Sequence, residues 1–339
     1  MLRPGDKVAT ISLSWGGAGE LRHRYTIGKK QLEENFGLEV IETKNALKSA
    51  DYLYRNPEAR ADDFMEAFSH PDIKAILTNI GGEDSIRTLP FMNLSLIRKN
   101  PKIFLGFSDS TISHFVCYKA GLTSFYGTSL LIGFAENGGM HEYQVQDLKQ
   151  TLFSANPRNR ILPNREGWTS ERLEWNDLTL QDRKRKLQEP GPWNFLNGKG
   201  VVQGKLLGGC LEVLNWLNGT DYWPDLQDWE DKILFFETSE EKPDPKYVKY
   251  SLRNLAAQGI LQNLKGILVG RPYDNQFVKE YNEAIIQVIR EEEGLRDLPI
   301  ITEMDFGHTC PVFTLPLGIL AEIDLGNKSF SLLEPGVQA

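Results

Sequence analysis

The chain is poor in the residues that staple or metallate a fold. Its three cysteines, Cys117, Cys210 and Cys310, lie far apart and in no CxxC pair, which argues against a disulfide framework or structural zinc and predicts reduced core thiols. The five histidines include no HExxH and no pair at ligand spacing, and the acidic run Glu291-Glu292-Glu293 reads as a solvated helix end, so no metal site is expected. No apolar run approaches the roughly 20 residues of a membrane span. The first residues pass straight into a strand pattern with no signal peptide ahead of it, so a cytoplasmic protein without a membrane partner is expected. Positive charge is not in excess either: 38 Lys and Arg against 46 Asp and Glu leave a net charge of -8, which argues against nucleic acid as a partner. No GxxxxGK[ST] phosphate loop occurs, and Gly16-Gly17-Ala18-Gly19 fails the GxGxxG register because Arg22 stands where the last glycine belongs.

What remains is an ordinary globular composition, 40% hydrophobic and 25% charged, in a chain of 339 residues, long enough for two domains with separate interiors. The first half alternates short apolar runs with helical spacings. Residues 7–13, 38–41, 73–80 and 102–107 read as strands, and 21–36, 57–69 and 85–98 read wholly or partly as helices. A further helix, 141–154, closes this half. The rhythm predicts a doubly wound, Rossmann-like parallel sheet over residues 1–155, with ligands at the carboxyl ends of its strands. Residues 156–195, dense in Pro, Arg, Glu, Asp and Trp, read as a crossover that doubles as a substrate loop; its basic run, Gln181 to Lys186, is expected to be a solvated face. Residues 196–339 predict a second α/β domain with a mixed sheet. Its strands are expected at 200–206, 232–236, 265–269, 299–302, 318–323 and 329–332, with helices at 210–217, 247–258 and 277–293.

Chemistry gathers at one stretch of the first half. Phe107-Ser108-Asp109 joins a strand ending in Ile103-Phe104-Leu105-Gly106 to a helix, so Ser108 sits on a sharp strand-to-helix turn and the Asp109 N–H lies at the helix start. The spelling GFSDS has Ser110 where an α/β-hydrolase elbow has glycine, and a helix cap is the competing reading of Ser108. Gly81-Gly82, after the strand ending at Ile80, lets backbone N–H groups approach a ligand. If the two strands are neighbours, Gly82 and Asp109 together form an oxyanion hole beside Ser108. Of the histidines, His23 and His114 fall in helical patterns, His70 in a Ser-His-Pro turn and His141 at a helix start. His308, in Phe306-Gly307-His308-Thr309, stands in a loop from which an imidazole can reach another domain. Its orienting acid is then Asp305 or Glu237, the latter ending the apolar strand Ile233-Leu234-Phe235-Phe236.

Taken together, LRPGDKVATIS, TNIGGEDSIRTLPFMN, NPKIFLGFSDSTIS, SFYGTSLL, GKLLGGCLEVLNWLNGTDYWP, KILFFET and DFGHTCP, in this order and spacing, resemble the LD-carboxypeptidase serine peptidases, and within them the microcin-immunity branch. The resemblance implies a Ser108-Glu237-His308 triad and oxyanion donors at Gly82 and Asp109. It further implies a site between the two domains, a homodimer, and no metal or organic cofactor. It also implies hydrolysis of the amide between a C-terminal aspartyl group and a nucleotide-like moiety, whose base stacks on a tryptophan, for which Trp168, Trp175 and Trp193 are the candidates. Gly81, Glu83 and Asp84 complete the expected substrate loop. Asp84 stands where that branch often has asparagine and is expected to add negative charge there, while the murein-recycling members usually carry RGGYGS in place of NIGGEDS. Two alternatives follow: a murein LD-carboxypeptidase releasing D-Ala from a tetrapeptide, and a two-domain protein that closes on a small peptide or peptide-nucleotide ligand without chemistry.

Overall fold

The computed structural model describes all 339 residues. The first sheet contains β1 (Lys7–Ile11), β2 (Glu39–Glu42), β3 (Ile73–Thr78), β4 (Ile103–Gly106) and β5 (Phe125–Tyr126). The second contains β6 (Arg158–Ile161), β7 (Asn194–Asn197), β8 (Val201–Cys210), β9 (Lys232–Glu237), β10 (Gly266–Gly270) and β11 (Ile300–Met304). Further along the chain, β12 (Leu315–Pro316) returns to the first sheet, and β13 (Leu320–Asp324) and β14 (Ser329–Leu332) complete the second.

The first sheet runs in the order β12-β5-β4-β3-β1-β2 and is parallel except where β12 pairs antiparallel with β5. Its strands are apolar on both faces, as a sheet covered on both sides requires. Val8, Leu77 and Leu105 point into a core closed by the helices Arg22–Phe36 and Glu142–Leu152. Ala9, Ile76 and Phe104 point the other way, into a core with Phe64 and Phe115 that continues into the second half of the chain. The second sheet is mixed, in the order β6-β14-β13-β8-β9-β10-β11-β7, with β8 to β11 parallel. The architecture is therefore the two-part α/β fold expected, with a parallel first sheet and a mixed second one.

The crossover stretch contributes β6 and β7 to the second sheet, and its basic run is built into the fold. Arg185, 14% exposed, grips the buried Glu136 through two nitrogens, so part of the predicted solvated face is instead a clasp onto the first half. The two halves meet where the helix Thr111–Lys119 packs against β8 and the helix Leu211–Leu217. There Thr111 Oγ1 accepts the Cys210 N–H at 3.1 Å, and Phe115 stacks on Trp223 with ring centroids 6.0 Å apart. This contact aligns the carboxyl ends of β3 and β4 with those of β9 and β11.

Candidate active site

Ser108 follows β4 in the left-handed region, at φ 60. A serine has no intrinsic preference for that region, so the conformation costs about 1 kcal/mol or more and must be held by its surroundings. What holds it is visible. The Ser108 N–H donates to Tyr126 Oη at 3.0 Å, Thr111 Oγ1 donates to the Ser108 carbonyl at 2.7 Å, and the buried Asp109 carboxylate takes the Ser85 N–H and hydroxyl at 2.9 and 2.8 Å. Burial raises the Asp109 carboxyl above its ordinary range, and the bonds from Ser14 and Ser85 act in the opposite direction. The turn is thus pinned to the loop that carries Gly81 and Gly82.

That loop lies directly against the serine. A Cβ on Gly81 would stand 3.0 Å from Ser108 Cβ and 3.4 Å from the Asp109 nitrogen. Gly82, at φ 146, would push a Cβ to 2.3 Å from Ser14 Oγ, so only glycine passes there. Asp84 is not the free negative charge expected from the sequence. Buried Arg60 holds it at 2.7 Å, Arg87 at 3.1 Å and the Ser14 hydroxyl at 3.1 Å, so its charge is matched and serves to anchor the loop.

His308 reaches Ser108 from the loop after β11. Its Nε2 lies 3.0 Å from Ser108 Oγ and its Nδ1 2.7 Å from Glu237 Oε2. Glu237, at the end of β9, is fully buried, and its second oxygen accepts the Tyr126 hydroxyl at 2.5 Å. Both carboxylate oxygens are therefore satisfied, which makes a charge at this depth tolerable. A Cβ on Gly307 would lie 2.8 Å from the Glu237 side chain, so glycine is what lets the His308 loop close over the acid. Asp305, the other acid the sequence offered, is occupied elsewhere: it accepts the Asn164 N–H at 3.0 Å and Trp193 Nε1 at 2.7 Å. Burial alone would lower the His308 imidazole, but Glu237, Glu240 and Glu212 outweigh it and raise it to about 9. His114 goes the other way: fully buried, it falls to about 4 and bonds Ser124 and the Gly106 carbonyl as a neutral packing residue.

These groups open onto a cavity of about 1390 Å³ whose wall includes Ser108, Gly81, Gly82, Glu83, Asp84 and His308. Of the three tryptophans singled out in the sequence, Trp175 alone lines it, with the Arg24 guanidinium 4.2 Å from its ring centre and its carbonyl bonded to His23 Nε2 at 2.6 Å. Trp168 and Trp193 are 3% and 5% exposed and turn into the interior, Trp168 beside Arg271 and Trp193 beside Asp305 and Phe313. Two further tryptophans stand on the wall: Trp15, outside every stretch quoted above, and Trp216, inside GKLLGGCLEVLNWLNGTDYWP but not singled out within it. Tyr126, inside SFYGTSLL, is likewise not singled out by the sequence; it sits on a strand of two residues.

Two family models match the chain: the LD-carboxypeptidase N-terminal domain over residues 8–127 and the LD-carboxypeptidase C-terminal domain over residues 203–323. The chain belongs to the LD-carboxypeptidase family. The relatives of the chain include the microcin C7 self-immunity protein MccF of Escherichia coli, 28% identical over a stretch covering 98% of the chain and 94% of that protein. An MccF-like protein from Streptococcus pneumoniae, solved in complex with AMP, is 34% identical and superimposes with a TM-score of 0.88 over 97% of this chain and 98% of that one. MccF solved in complex with aspartyl sulfamoyl adenosine is 26% identical, with a TM-score of 0.82 over 99% and 98% of the two chains. These similarities place the chain in the microcin-immunity branch of its family.

Proposed function

We propose that the chain is a serine hydrolase that cleaves the amide between an aminoacyl group, aspartyl in the first instance, and a nucleotide-like leaving group. The observation that carries the reading is the unbroken path from Ser108 Oγ through both nitrogens of His308 to buried Glu237. His308 Nε2 takes the hydroxyl proton as Ser108 attacks the carbonyl, while Glu237 holds the Nδ1–H and balances the imidazolium that forms. The Gly82 and Asp109 amides stabilise the tetrahedral oxyanion. The imidazolium then protonates the leaving nitrogen, and water, activated by the same imidazole, hydrolyses the acyl-enzyme. A protein that only closes on a ligand has no use for this alignment.

The nucleotide-like leaving group is supported by Trp175 on the cavity wall and by the AMP and aspartyl sulfamoyl adenosine bound in the two related structures. The test is labelling by a fluorophosphonate, followed by mass spectrometry of products from aspartyl sulfamoyl adenosine and from a murein tetrapeptide. Ser108→Ala and His308→Ala should abolish labelling, with turnover down by roughly 10⁴-fold or more. Ser108→Ala retaining wild-type turnover refutes the assignment, and release of D-Ala without cleavage of the adenylate analogue refutes the leaving group.

A further inference from the structure

The peptide between Gly81 and Gly82 is aimed from behind. The Gly81 carbonyl accepts the Trp15 N–H at 3.2 Å, and in a trans peptide the carbonyl and the following N–H point in opposite directions. The Gly82 N–H therefore faces away from the Ser14-Trp15 chain, and it donates to no other group of the protein. Its direction depends on how firmly two segments are fixed to each other: the one that holds the Gly81 carbonyl and the one that follows Gly82.

One side chain fixes both. Arg60, on the helix Pro57–Ser69, is fully buried. Its Nη1 donates to the Leu13 carbonyl at 2.8 Å and to Asp84 Oδ1 at 2.7 Å, and its Nη2 donates to Asp84 Oδ2 at 3.2 Å. Leu13 stands just ahead of Ser14-Trp15, and Asp84 just beyond Gly82, so the guanidinium bridges the two segments. Ser14 closes the same ring. Its hydroxyl donates to Asp84 Oδ1 at 3.1 Å and accepts the Asp84 N–H at 3.2 Å, directly beneath Gly82.

Stability alone is a weak reason for this arrangement, because a buried ion pair can often be replaced by apolar groups of like volume without loss. What an apolar side chain cannot supply is a directed hold on two loops at once. The planar guanidinium, with its donors in a fixed fork, supplies that.

We propose that Arg60 is a positioning residue for the reaction: by tying the Leu13 carbonyl to Asp84 it fixes the Gly81-Gly82 peptide and aims the Gly82 N–H at the oxyanion. The inference rests on the serine-hydrolase reading above and names the residue that sets one of its two oxyanion donors.

The test uses an alkyl fluorophosphonate on the full-length protein. Ser108 Oγ forms a bond to phosphorus, fluoride departs, the hydroxyl proton passes to His308 Nε2, and the phosphoryl oxygen takes the place of the oxyanion. Wild type, Arg60→Met and Arg60→Lys are compared in three readings: the fraction of chains labelled at completion, the plateau rate per labelled chain at high pH, and the midpoint of the pH limb. Arg60→Met should label to completion with a plateau lowered about 10- to 100-fold, since a donor displaced by about 1 Å loses most of its hold on the developing charge. The midpoint, set by His308 near 9, should stay where it is, which a general loosening of the site would not allow. Arg60→Lys keeps the charge without the fork and should recover part of the plateau. A wild-type plateau in Arg60→Met, a midpoint that moves with the plateau, or incomplete labelling at the wild-type rate per labelled chain each makes Arg60 a purely structural residue and overturns the inference. Should Arg60→Met not fold, the same readings on Arg60→Lys decide, and a wild-type plateau there overturns it. Labelling that is lost in Ser108→Ala but unaltered in both Arg60 variants removes this inference and leaves the hydrolase reading standing. Absence of labelling in wild type overturns the hydrolase reading and this inference with it.

Discussion

Replacing Tyr126 by phenylalanine removes one oxygen from the centre of the site. That oxygen donates to Glu237 Oε1 at 2.5 Å and accepts the Ser108 N–H at 3.0 Å, and the residue is fully buried. Burial, and then the neighbouring Glu237, raises the phenol well above its ordinary range, which favours the protonated, donating form. A hydrogen bond to a charged group contributes about 1.5–3 kcal/mol, and a buried N–H left without an acceptor costs about 1–3 kcal/mol. The two share one hydroxyl and do not simply add, so a loss of about 2–4 kcal/mol in stability is expected. At about 1.4 kcal/mol per factor of ten, a half share of this loss felt in the transition state slows acylation roughly 5- to 30-fold. Thermal unfolding and the second-order rate of fluorophosphonate labelling measure the two effects separately. A Tyr126→Phe protein with wild-type melting and wild-type labelling refutes the reasoning. Lowered melting with unchanged labelling leaves Tyr126 a packing residue and removes it from the positioning of Ser108.

Further outcomes follow from the same site. Because the reactive form of His308 is the neutral imidazole and its folded value is about 9, labelling of the free protein should rise with pH and reach half its plateau near there. Glu240→Gln should move that limb to lower pH. The raised value also means that the imidazolium's contribution to stability is complete below the ordinary histidine value of about 6.5 and is lost as pH climbs through about 9, so melting temperature should fall over that interval. Labelling that is flat from pH 6 to 10 contradicts both statements. Trp175→Ala should weaken AMP binding about tenfold, measured by calorimetry, since stacking of a base on an aromatic ring contributes about 1–3 kcal/mol. Unchanged affinity would exclude that ring as the platform.

Much of the architecture could be read from the chain because its signals are local. Apolar runs bounded by Gly-Gly and by Phe107-Ser108 mark β3 and β4 and the turns that follow them, and Lys232 to Phe236 marks β9, which in the structure extends one residue further to Glu237. Other features depend on what lies opposite. Tyr126 sits on two paired residues with no period to detect, and Glu240 acquires its meaning from a histidine 68 positions further along the chain. Asp84 read as an added charge because its partner, Arg60, lies 24 positions upstream in another element and nothing local pairs the two. The tryptophans show the same limit. Trp168, Trp175 and Trp193 have similar surroundings in the sequence, and only the packing of the crossover decides which ring faces the cavity. Arg185 lies in a run of charges that composition assigns to solvent, yet the partner that buries it is Glu136, well upstream.

The short strand β12 bears on how the protein is made. Leu315 and Pro316 leave the second half of the chain to pair with Tyr126 and Phe125, the residues beside the Ser108 turn. A nascent chain that has emerged only as far as the crossover lacks the edge of its own first sheet, as well as Glu237 and His308. On the proposed reading, the serine is thus present for most of synthesis without the acid and base assigned to it, and completion of the site is coupled to the joining of β12 to the first sheet. Truncation before His308 should yield a chain that is both less stable and unreactive towards a fluorophosphonate.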